Sequence, residues 1–360
     1  MLKADILVKT PKGLEEVASK RIMEIPGLKA ISKPYGFSGI VLVQCHNIKK
    51  EEALNRILKE VPEAEKALPI YAIARSELNE IITTCAKVAC GVVSSNETFA
   101  VRTTRRGSHT FTSIDVNVQA GAQIQKVTGA GVDLEVPDKI VWIEILQDTA
   151  FISITGREVQ WKKLWPGKPY VLPIMRAISI VQMPYLGPFE AAKSIGARIG
   201  RAIQTFEISE LIIAPKEKIS AIEFYAFLSG IFEGISSRYE IQKRSYGREV
   251  RKVPVYIQDL YQLVRERAGE NLIVTSTRGI PISQAIGKIV EMINEGQVTI
   301  LVGAREGIPT GIFRFADLVL DLAPGITLPT DYAASSALIA LITILDQAKV
   351  FPKWKKRRRA

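Results

Sequence analysis

The sequence has 360 residues, of which 47% are hydrophobic, and its formal net charge at pH 7 is +11. This length predicts two to three domains with sizeable cores. No apolar run approaches the roughly 18 residues that a membrane-spanning helix needs, and the amino terminus lacks the features of a signal peptide. We therefore expect a cytoplasmic protein without a membrane span.

Part of the positive charge lies in a basic tail at the carboxyl end. Residues 353–359 (KWKKRRR) hold six cations and no acid, and the rest of the chain is still basic. A basic chain favours polyanions, and nucleic acid leads because no basic amphipathic helix suggests a membrane surface. Cys45, Cys85 and Cys90 lack the spacing of metal ligands, so we expect no metal.

The first elements in chain order predict a small ferredoxin-like module. A strand at 6–9 precedes a helix at 14–24, and a strand at 39–44 precedes a helix at 47–59 that Asn47 would cap. This alternation of strands and helices is expected to close the module near residue 70.

The next elements include a basic turn beside a strand. A helix at 77–88 is followed by a strand at 98–103, a helix at 113–128 that ends at Gly129, and a hairpin of strands at 139–146 and 150–155. Four basic side chains are expected to gather at one strand end, where cations can meet phosphates: Arg102, Arg105, Arg106 and His109.

The segment 97–156, which contains FAVRTTRRGSHTF and VTGAGVDLEVPD, resembles a THUMP domain. The preceding TPKGLEEVASKRI resembles the ferredoxin-like module that comes before THUMP in that family. The resemblance covers about the first 160 residues. It implies a tRNA-binding module that grips the 3′ end of the acceptor stem, to which Lys12 would contribute.

The stretch 157–170 has no clear periodicity and mixes two Trp, three Lys, two Pro and one Gly. It predicts a connector, and an aromatic and basic strip that touches RNA is the alternative. We place the linker at 161–182.

Strands and helices alternate through the second half, which predicts a mainly parallel sheet. The predicted strands are 210–214, 235–241, 272–276, 298–302 and 318–322. The predicted helices are 189–205, 217–233, 254–267, 283–294 with Ser283 as cap, and one that starts near Asp331. Gly196 and Gly200 share one face of the first helix, where another element should pack closely.

A basic loop at 243–252 (KRSYGREVRK) interrupts this alternation. It offers Lys243, Arg244 and Arg248 to RNA phosphates, with Tyr246 available for base stacking. A mobile surface loop is the alternative interpretation.

Two glycine-bearing loops follow the strands at 298–302 and 318–322. Gly303 and Gly307 lie in the first loop, and Gly325 lies in the second. Ligands of open α/β sheets bind outside the carboxyl ends of the strands, so a small molecule is expected here. The chain lacks GxGxxG after a strand, a P-loop lysine, HExxH and CxxC, which argues against several other nucleotide and metal enzymes.

Three segments resemble motifs of the SPOUT (SpoU–TrmD) methyltransferase superfamily, in its THUMP-fused branch. SIGARIGRAIQTFEISELIIA resembles the first motif and places Arg201 at the motif's arginine, although the usual asparagine is absent. ILVGAREGIP resembles the second motif through Gly303, Glu306 and Gly307. ITLPTDYAASSALIALI resembles the third motif, with Asp331-Tyr332 as on the TrmD side of the superfamily.

This resemblance implies an α/β fold with a trefoil-knotted, mainly parallel carboxyl-terminal domain, a homodimer and bound S-adenosylmethionine. The residues that would hold the cofactor lie in the loops after three strands and at the start of the last helix: Thr275, Ser276, Gly303, Ala304, Gly307, Leu322, Gly325, Ile326, Leu328 and Ala333. We expect five parts: a ferredoxin-like domain (1–70), THUMP (71–160), the linker (161–182), the SPOUT domain (183–348) and a basic tail (349–360).

The resemblance implies methylation of tRNA, which we interpret as transfer to a ribose 2′-hydroxyl near the acceptor stem. Arg201 would contact the hydroxyl or a phosphate, and Ser335 would lie near the methyl group. A phosphate or Glu306 would carry the proton, or Glu306 would instead hold the turn that shapes the pocket. Two alternatives stay open: methylation of a ring nitrogen with Asp331 as general base, and a non-catalytic RNA-binding or assembly factor.

Overall fold

The computed structural model describes residues 2–160 and 162–353, and it divides into two compact units between Trp165 and Pro166. Except for Lys353, the predicted basic cluster at 353–359 lies outside the described residues. Within the described ranges, no helix combines the length and the apolar character that crossing a bilayer requires.

The first unit is built on an eight-stranded sheet with the order β2-β3-β1-β4-β8-β7-β5-β6. Its strands are β1 (Ile6–Lys9), β2 (Leu28–Ser32), β3 (Ile40–Cys45), β4 (Lys66–Arg75), β5 (Thr98–Arg106), β6 (Gly131–Val132), β7 (Lys139–Leu146) and β8 (Thr149–Gly156). Its helices are α1 (Glu15–Met23), α2 (Lys50–Glu60), α3 (Leu78–Cys90) and α4 (Ser113–Thr128).

Strand β4 belongs to two modules of this unit. Its first residues pair with β1, from Lys66 opposite Lys9 to Pro69 opposite Ile6. Its last residues pair with β8, from Ile70 to Arg75. The β-α-β-β-α-β order up to this strand is that of a ferredoxin-like module. Strand β4 also joins this module directly to the part of the sheet that β5–β8 form.

Helix α4 has the predicted bounds because both of its ends carry local signals. Thr112 and Asp115 form a capping box, in which each side chain accepts a hydrogen bond from the other residue's backbone N–H. Gly129 ends the helix in the left-handed region, with φ 72°.

Two local predictions for the first unit are wrong. Asn47 does not cap α2, because the helix begins at Lys50 and Asn47 itself turns the chain with φ 61°. Arg105 and Arg106 do not lie in a turn, because β5 runs through Arg106 and pairs with β7 as far as Leu146.

The second unit is built on a six-stranded sheet with the order β11-β10-β9-β13-β12-β14. Its strands are β9 (Ile178–Gln182), β10 (Glu210–Ile213), β11 (Val255–Ile257), β12 (Leu272–Pro281), β13 (Val298–Val302) and β14 (Leu318–Asp321). Its helices are α5 (Leu172–Met175), α6 (Phe189–Phe206), α7 (Ala221–Ser245), α8 (Leu260–Glu266), α9 (Ile286–Glu295) and α10 (Thr330–Gln347). Every neighbouring pair of these strands is parallel, as predicted.

Several predicted bounds in this unit need correction. The strand predicted at 235–241 is part of α7. The helix predicted at 254–267 is a strand, β11, followed by α8, which Asp259 caps through the N–H groups of Tyr261 and Gln262. Ser283 lies in a 3₁₀ turn, and α9 begins only at Ile286. Strand β9 lies within the range predicted as linker.

The close packing predicted beside Gly196 and Gly200 is confirmed, and the partner is α7. A Cβ on Gly200 would lie 2.2 Å from the carbonyl oxygen of Ile231, and one on Gly196 would lie 2.3 Å from that of Phe227. Gly230 and Gly234 of α7 approach α6 in the same way. Backbone therefore meets backbone along this interface, and any side chain larger than hydrogen would separate the two helices.

Candidate functional site

The loops that follow the parallel strands meet at one edge of the second sheet, here named the carboxyl edge. Arg305, after β13, donates a hydrogen bond to the Tyr185 hydroxyl after β9, and its guanidinium lies 4.5 Å from that ring's centroid. Glu306 forms an ion pair with Lys216, which follows β10. Three loops from separate parts of the chain are thus tied together where the fold favours a ligand.

The loop after β13 is folded tightly on its two glycines. Gly307 has φ 73°, and its N–H donates to the Ala304 carbonyl at 2.8 Å. A Cβ on Gly303 would lie 2.8 Å from the Cα of Gly307. The loop therefore presents bare backbone at the strand end, where it can approach a bound molecule closely.

Gln182 supplies a buried polar group at the same edge. Its side chain is fully buried at the end of the central strand β9, and Nε2 donates to the carbonyls of Met183 at 2.9 Å and Gly303 at 3.3 Å. Among the described residues, its Oε1 has no hydrogen-bond partner. Buried polar atoms are nearly always paired, so this acceptor suits the amino group of a ligand or a water.

The end of β12 departs from regular pairing at the same edge. Its pairing with β14 shifts register between Thr275 and Ile280, so the chain between them bulges away from the sheet. A Cβ on Gly279 would lie 2.6 Å from the backbone of β14, which only glycine permits. Thr275 and Ser276 begin the bulge and are half-buried.

The other residues predicted to bind a cofactor lie after β14 or in α10. Leu322 and Leu328 are half-buried, whereas Gly325 and Ile326 are exposed. Ala333 is half-buried in the first turn of α10, packed against the core. The structure therefore puts two predicted loops and the β12 bulge on one edge. Across the described ranges, no group of three or more His, Cys, Asp and Glu side chains is placed to hold a metal.

Glu306 is held as a carboxylate by its ion pair. The hydrogen bond and the charge of Lys216 lower the pKa of Glu306 below its usual value. A lowered pKa makes a weaker base. The geometry thus favours Glu306 as a tie between the loops after β10 and β13 rather than as a proton acceptor.

The remaining predicted catalytic residues are not joined to this loop cluster by any contact within the described part of the chain. Asp331 forms an ion pair with Arg198 at 3.1 Å. Ser335 Oγ donates to the Tyr332 carbonyl within α10 at 2.9 Å. Arg201 is exposed and donates to Ser237 Oγ at 3.4 Å. Sequence reasoning missed Arg198, because only its ion pair with the distant Asp331 indicates that it belongs to the candidate site.

In the first unit, some of the predicted basic residues contact backbone carbonyl groups, whereas Arg106 forms an ion pair. Arg105 donates to the His109 carbonyl at 3.3 Å, and His109 Nε2 lies 2.6 Å from the Gln147 carbonyl oxygen at the β7–β8 turn. Arg102 is tied to the Leu134 carbonyl at 2.6 Å. Arg106 instead pairs with the buried Glu144, which Lys9 also contacts, so its guanidinium is engaged within the unit. Lys12 is exposed in the turn after β1.

Tyr35 joins this basic surface from the ferredoxin-like module, and sequence reasoning missed it. Its hydroxyl donates to Asp148 at 2.5 Å and lies 3.0 Å from Thr149 Oγ1. The residue is 42% exposed and has φ 54°, an uncommon conformation for a non-glycine residue. Arg75 is also exposed here, opposite Thr149 in the sheet. The sequence signal was the turn KPYG at 33–36.

The basic loop predicted at 243–252 begins inside α7. Lys243 and Arg244 are exposed in the last turn of that helix. Arg248 is bound to the buried carboxylate of Glu207 through Nη1 at 3.0 Å and through Nη2. Its guanidinium therefore has a structural partner within its own unit.

Comparison with known proteins agrees with this architecture. A family model described as "AF2226-like SPOUT RNA Methylase fused to THUMP" matches residues 172–360, and a THUMP domain model matches residues 75–155. The chain is 41% identical over 339 residues to the uncharacterized protein MJ0421 of Methanocaldococcus jannaschii, which covers 93% of this chain and 92% of that relative.

Two further similarities are more distant. A probable tRNA sulfurtransferase of Saccharolobus solfataricus is 29% identical over 147 residues, 41% of this chain and 38% of that protein. The crystal structure of PH1313 from Pyrococcus horikoshii aligns over 96% of this chain and 100% of that chain, with 18% identity and a TM-score of 0.36.

The match to a SPOUT RNA methylase model, together with a THUMP match earlier in the sequence, identifies an RNA methyltransferase, and the parallel sheet with its loop cluster at the carboxyl edge agrees with this class. The chain belongs to the AF2226-like SPOUT RNA methylases that are fused to THUMP.

Proposed function

We propose that this RNA methyltransferase transfers a methyl group from S-adenosylmethionine to a ribose 2′-hydroxyl of tRNA, near the acceptor stem. The observation that carries the proposal is the carboxyl edge. There, Gln182 Oε1 lacks a partner among the described residues, beside the bare backbone of Gly303. A nucleoside cofactor needs such a buried acceptor together with apolar walls.

The residues present fit S-adenosylmethionine. Gln182 Oε1 would accept from an amino group, and the backbone around Gly303 and Gly307 would lie against the ligand. Leu322 and Leu328 would supply apolar surface for the adenine. When bound, the cofactor supplies an activated methyl group on its sulfonium. The protein's own task is then to align the acceptor, exclude water and remove a proton.

The charged residues have separate proposed tasks. Arg201 orients the acceptor hydroxyl or an adjacent phosphate, acting on the site across the dimer. Glu306 holds the loop after β13 closed through Lys216. Ser335 lies near the transferred group, on the same face of α10 as Tyr332.

We further propose the homodimer and the trefoil-knotted path. On α10, Tyr332 is 57% exposed and Ile339 is 55% exposed, and an apolar surface of this kind supports contact with a second copy. The knot is supported by the strand order, in which β13 lies between β9 and β12 and the chain then passes β12 to form β14.

Recognition of tRNA is proposed for the first unit. The relatives named tRNA sulfurtransferases support it, as do the THUMP match and the surface of Arg102, Arg105 and His109. Cations at this surface would bind phosphates, while Tyr35 would stack on an unpaired base of the 3′ end.

One observation favours a second candidate, methylation of a ring nitrogen. The Asp331 side chain is only 9% exposed and lies at the start of α10, where Arg198 fixes its carboxylate. Its position at the start of α10, in the segment that resembles the third SPOUT motif, makes this largely buried carboxylate a candidate general base.

The deciding experiment supplies unmodified tRNA transcripts and labelled S-adenosylmethionine, then digests the RNA to nucleosides for mass spectrometry. A methyl group on ribose supports the first proposal, whereas one on a base overturns it in favour of base methylation. If the protein binds tRNA but shows neither methyl transfer nor cofactor binding by calorimetry, it is a non-catalytic RNA-binding factor.

A further inference from the structure

The basic segment 243–252 begins in the last turn of α7. It lies at the opposite edge of the second sheet from the loops proposed to bind the cofactor. Because β9, β10 and β11 are parallel, α6 and α7 both end where the next strand begins. We name this the amino edge. Strands of four to five residues separate it from the carboxyl edge by roughly 13–17 Å.

Glu207 is the centre of the amino edge. It ends α6 in the left-handed region with φ 51°, and its side chain is fully buried. Its carboxylate accepts hydrogen bonds from Arg176 Nη2 at 2.6 Å, from both terminal nitrogens of Arg248, and from the Arg251 N–H at 3.0 Å. One carboxylate thus joins the start of the unit, the end of α6 and the basic segment.

The electrostatics of Glu207 favour its charged form. Burial alone would raise the pKa of this carboxyl. The hydrogen bonds from Arg248, Arg251 and Arg176 outweigh burial and hold the pKa below its usual value. The bonds around Glu207 are therefore charge-assisted at neutral pH, which makes them stronger than neutral ones.

Two buried glutamines fix the backbone of the same segment. Gln204 Nε2 donates to the Arg251 carbonyl at 2.9 Å, and Gln204 Oε1 accepts from the Val253 N–H at 3.0 Å. Gln204 Nε2 also donates to Gln242 Oε1 at 3.0 Å. Hydrogen bonds to the Arg251 carbonyl and from the Val253 N–H therefore fix the backbone of this segment before any ligand binds.

This support displays cations that have no carboxylate partner. Lys243, Arg244, Arg251 and Lys252 are exposed, and none of them forms an ion pair within residues 2–160 and 162–353. Lys252 Nζ lies 5.8 Å from the ring centroid of Tyr239. Glu240 and Glu249 are the nearby exposed acids in sequence, and the segment stays net basic.

We propose that the amino edge is a preformed site for the phosphate backbone of RNA, and that Glu207 is its positioning residue. The four exposed cations contact phosphates, whereas Arg248 acts through Glu207 and does not touch RNA. Ordering of the backbone before binding lowers the entropy cost of fixing this segment on RNA. The bound stretch of backbone is a part of the RNA other than the target nucleotide, because the two edges of the sheet are separate. The choice of RNA as the polyanion rests on the proposed function.

The first test measures the salt dependence of binding to a labelled RNA hairpin by fluorescence anisotropy. The quadruple variant K243Q/R244Q/R251Q/K252Q should lower the slope of log K against log salt by about 3 to 4, since each lost phosphate contact removes about 0.9. The matched control K20Q/K29Q/K49Q/K59Q removes four exposed lysines from the first unit and should leave the slope nearly unchanged. An unchanged slope in the first variant, or equal losses in both, overturns the proposal.

The second test separates positioning from simple charge. Glu207→Gln makes the protein more basic, so unspecific attraction alone predicts tighter RNA binding. Loss of a positioned segment predicts the opposite, binding weaker by about tenfold. Glu207→Asp keeps the charge and should recover part of the affinity. Binding that is equal to or tighter than that of the native protein in Glu207→Gln overturns the positioning role.

These measurements do not depend on methyl transfer. If the native protein transfers no methyl group, and the quadruple variant still lowers the slope of log K against log salt, the proposed chemistry fails and the amino-edge site stands. If methyl transfer occurs and the quadruple variant leaves the slope unchanged, the proposed chemistry stands and the amino-edge site fails. The four substituted side chains are exposed, so the variant tests the surface even if Glu207→Gln proves unstable.

Discussion

Arg198 Nη1 lies 3.1 Å from Asp331 Oδ2, although the two residues are 133 positions apart in the chain. The Arg198 side chain is 64% exposed and that of Asp331 is 9% exposed. The ion pair therefore ties the middle of α6 to the start of α10. Arg201, three residues further along α6, contacts Ser237 of α7 instead. Two neighbouring arginines of one helix thus face different partners.

This difference predicts different effects on methyl transfer. Arg201→Ala should lower kcat/KM about 100-fold, because the proposed electrostatic contact with the acceptor is lost. Arg198→Ala should lower stability by only about 1 kcal/mol, since its side chain is largely screened by water, and should leave kcat/KM nearly unchanged. Steady-state methyl transfer to tRNA measures kcat/KM for both variants, and urea denaturation measures the stability of Arg198→Ala. If Arg198→Ala proves the more damaging change, Asp331 and base methylation gain support.

The interface between α6 and α7 predicts opposite outcomes for two glycine substitutions. Gly200→Ala should destabilise the second unit by about 3 kcal/mol or more, because the new methyl group would press on the Ile231 backbone. Gly287→Ala is the control. It lies in the first turn of α9, where an added Cβ would meet open space, and it should raise stability by at most about 1 kcal/mol. Urea denaturation compares them, and equal stabilities would mean that the helices are not in close contact.

The buried carboxylate of Glu207 predicts an acid-sensitive stability. Its folded pKa is depressed, so its contribution is fully present above the unfolded pKa of about 4.3 and is lost as pH falls through the folded value. At pH 7, Glu207→Gln should cost about 2–3 kcal/mol. The difference from native protein should shrink below pH ~4.3. The exposed Glu249→Gln variant serves as control, and a pH-independent difference would contradict the ionic role.

Tyr35 predicts a selective loss of binding to unpaired RNA. Tyr35→Leu should weaken binding of a minihelix with a single-stranded 3′ end by about tenfold, because stacking is worth about 1–3 kcal/mol per base. A blunt minihelix should bind as before. Tyr35→Phe keeps the ring but loses the bond to Asp148, so its loss should be smaller. Tyr71→Leu, at an exposed tyrosine of β4, is the matched control, and an equal loss on both RNAs would exclude stacking.

Sequence reasoning succeeded where the signals are local. The bounds of α4 follow from Thr112, Asp115 and Gly129, which act within a few residues of the helix ends. It failed at 235–241, where β-branched residues favour a strand but the packing of Gly234 on α6 keeps the chain helical. Strand β9 was missed because its short apolar run directly follows the four-residue helix α5.

The same limit applies to the candidate sites. Glycine turns after apolar strands marked the carboxyl edge, because that arrangement is repeated along the chain. The bonds of Glu207 to Arg248 and of Arg198 to Asp331 connect distant residues, and no periodicity encodes them. A basic run such as 243–252 therefore shows its charge in the sequence, but not which arginine is already neutralised inside the fold.

The shared strand β4 has a consequence for how this protein can be divided. Residues 70–75 of that strand cover the β8 edge, and the family match for THUMP begins only at residue 75. A fragment cut there would expose the backbone of β8 and the apolar face around Phe151, which packs with Leu7 and Leu42 of the preceding module. Open strand edges invite aggregation. The two modules should therefore be inherited, transplanted and expressed as one piece.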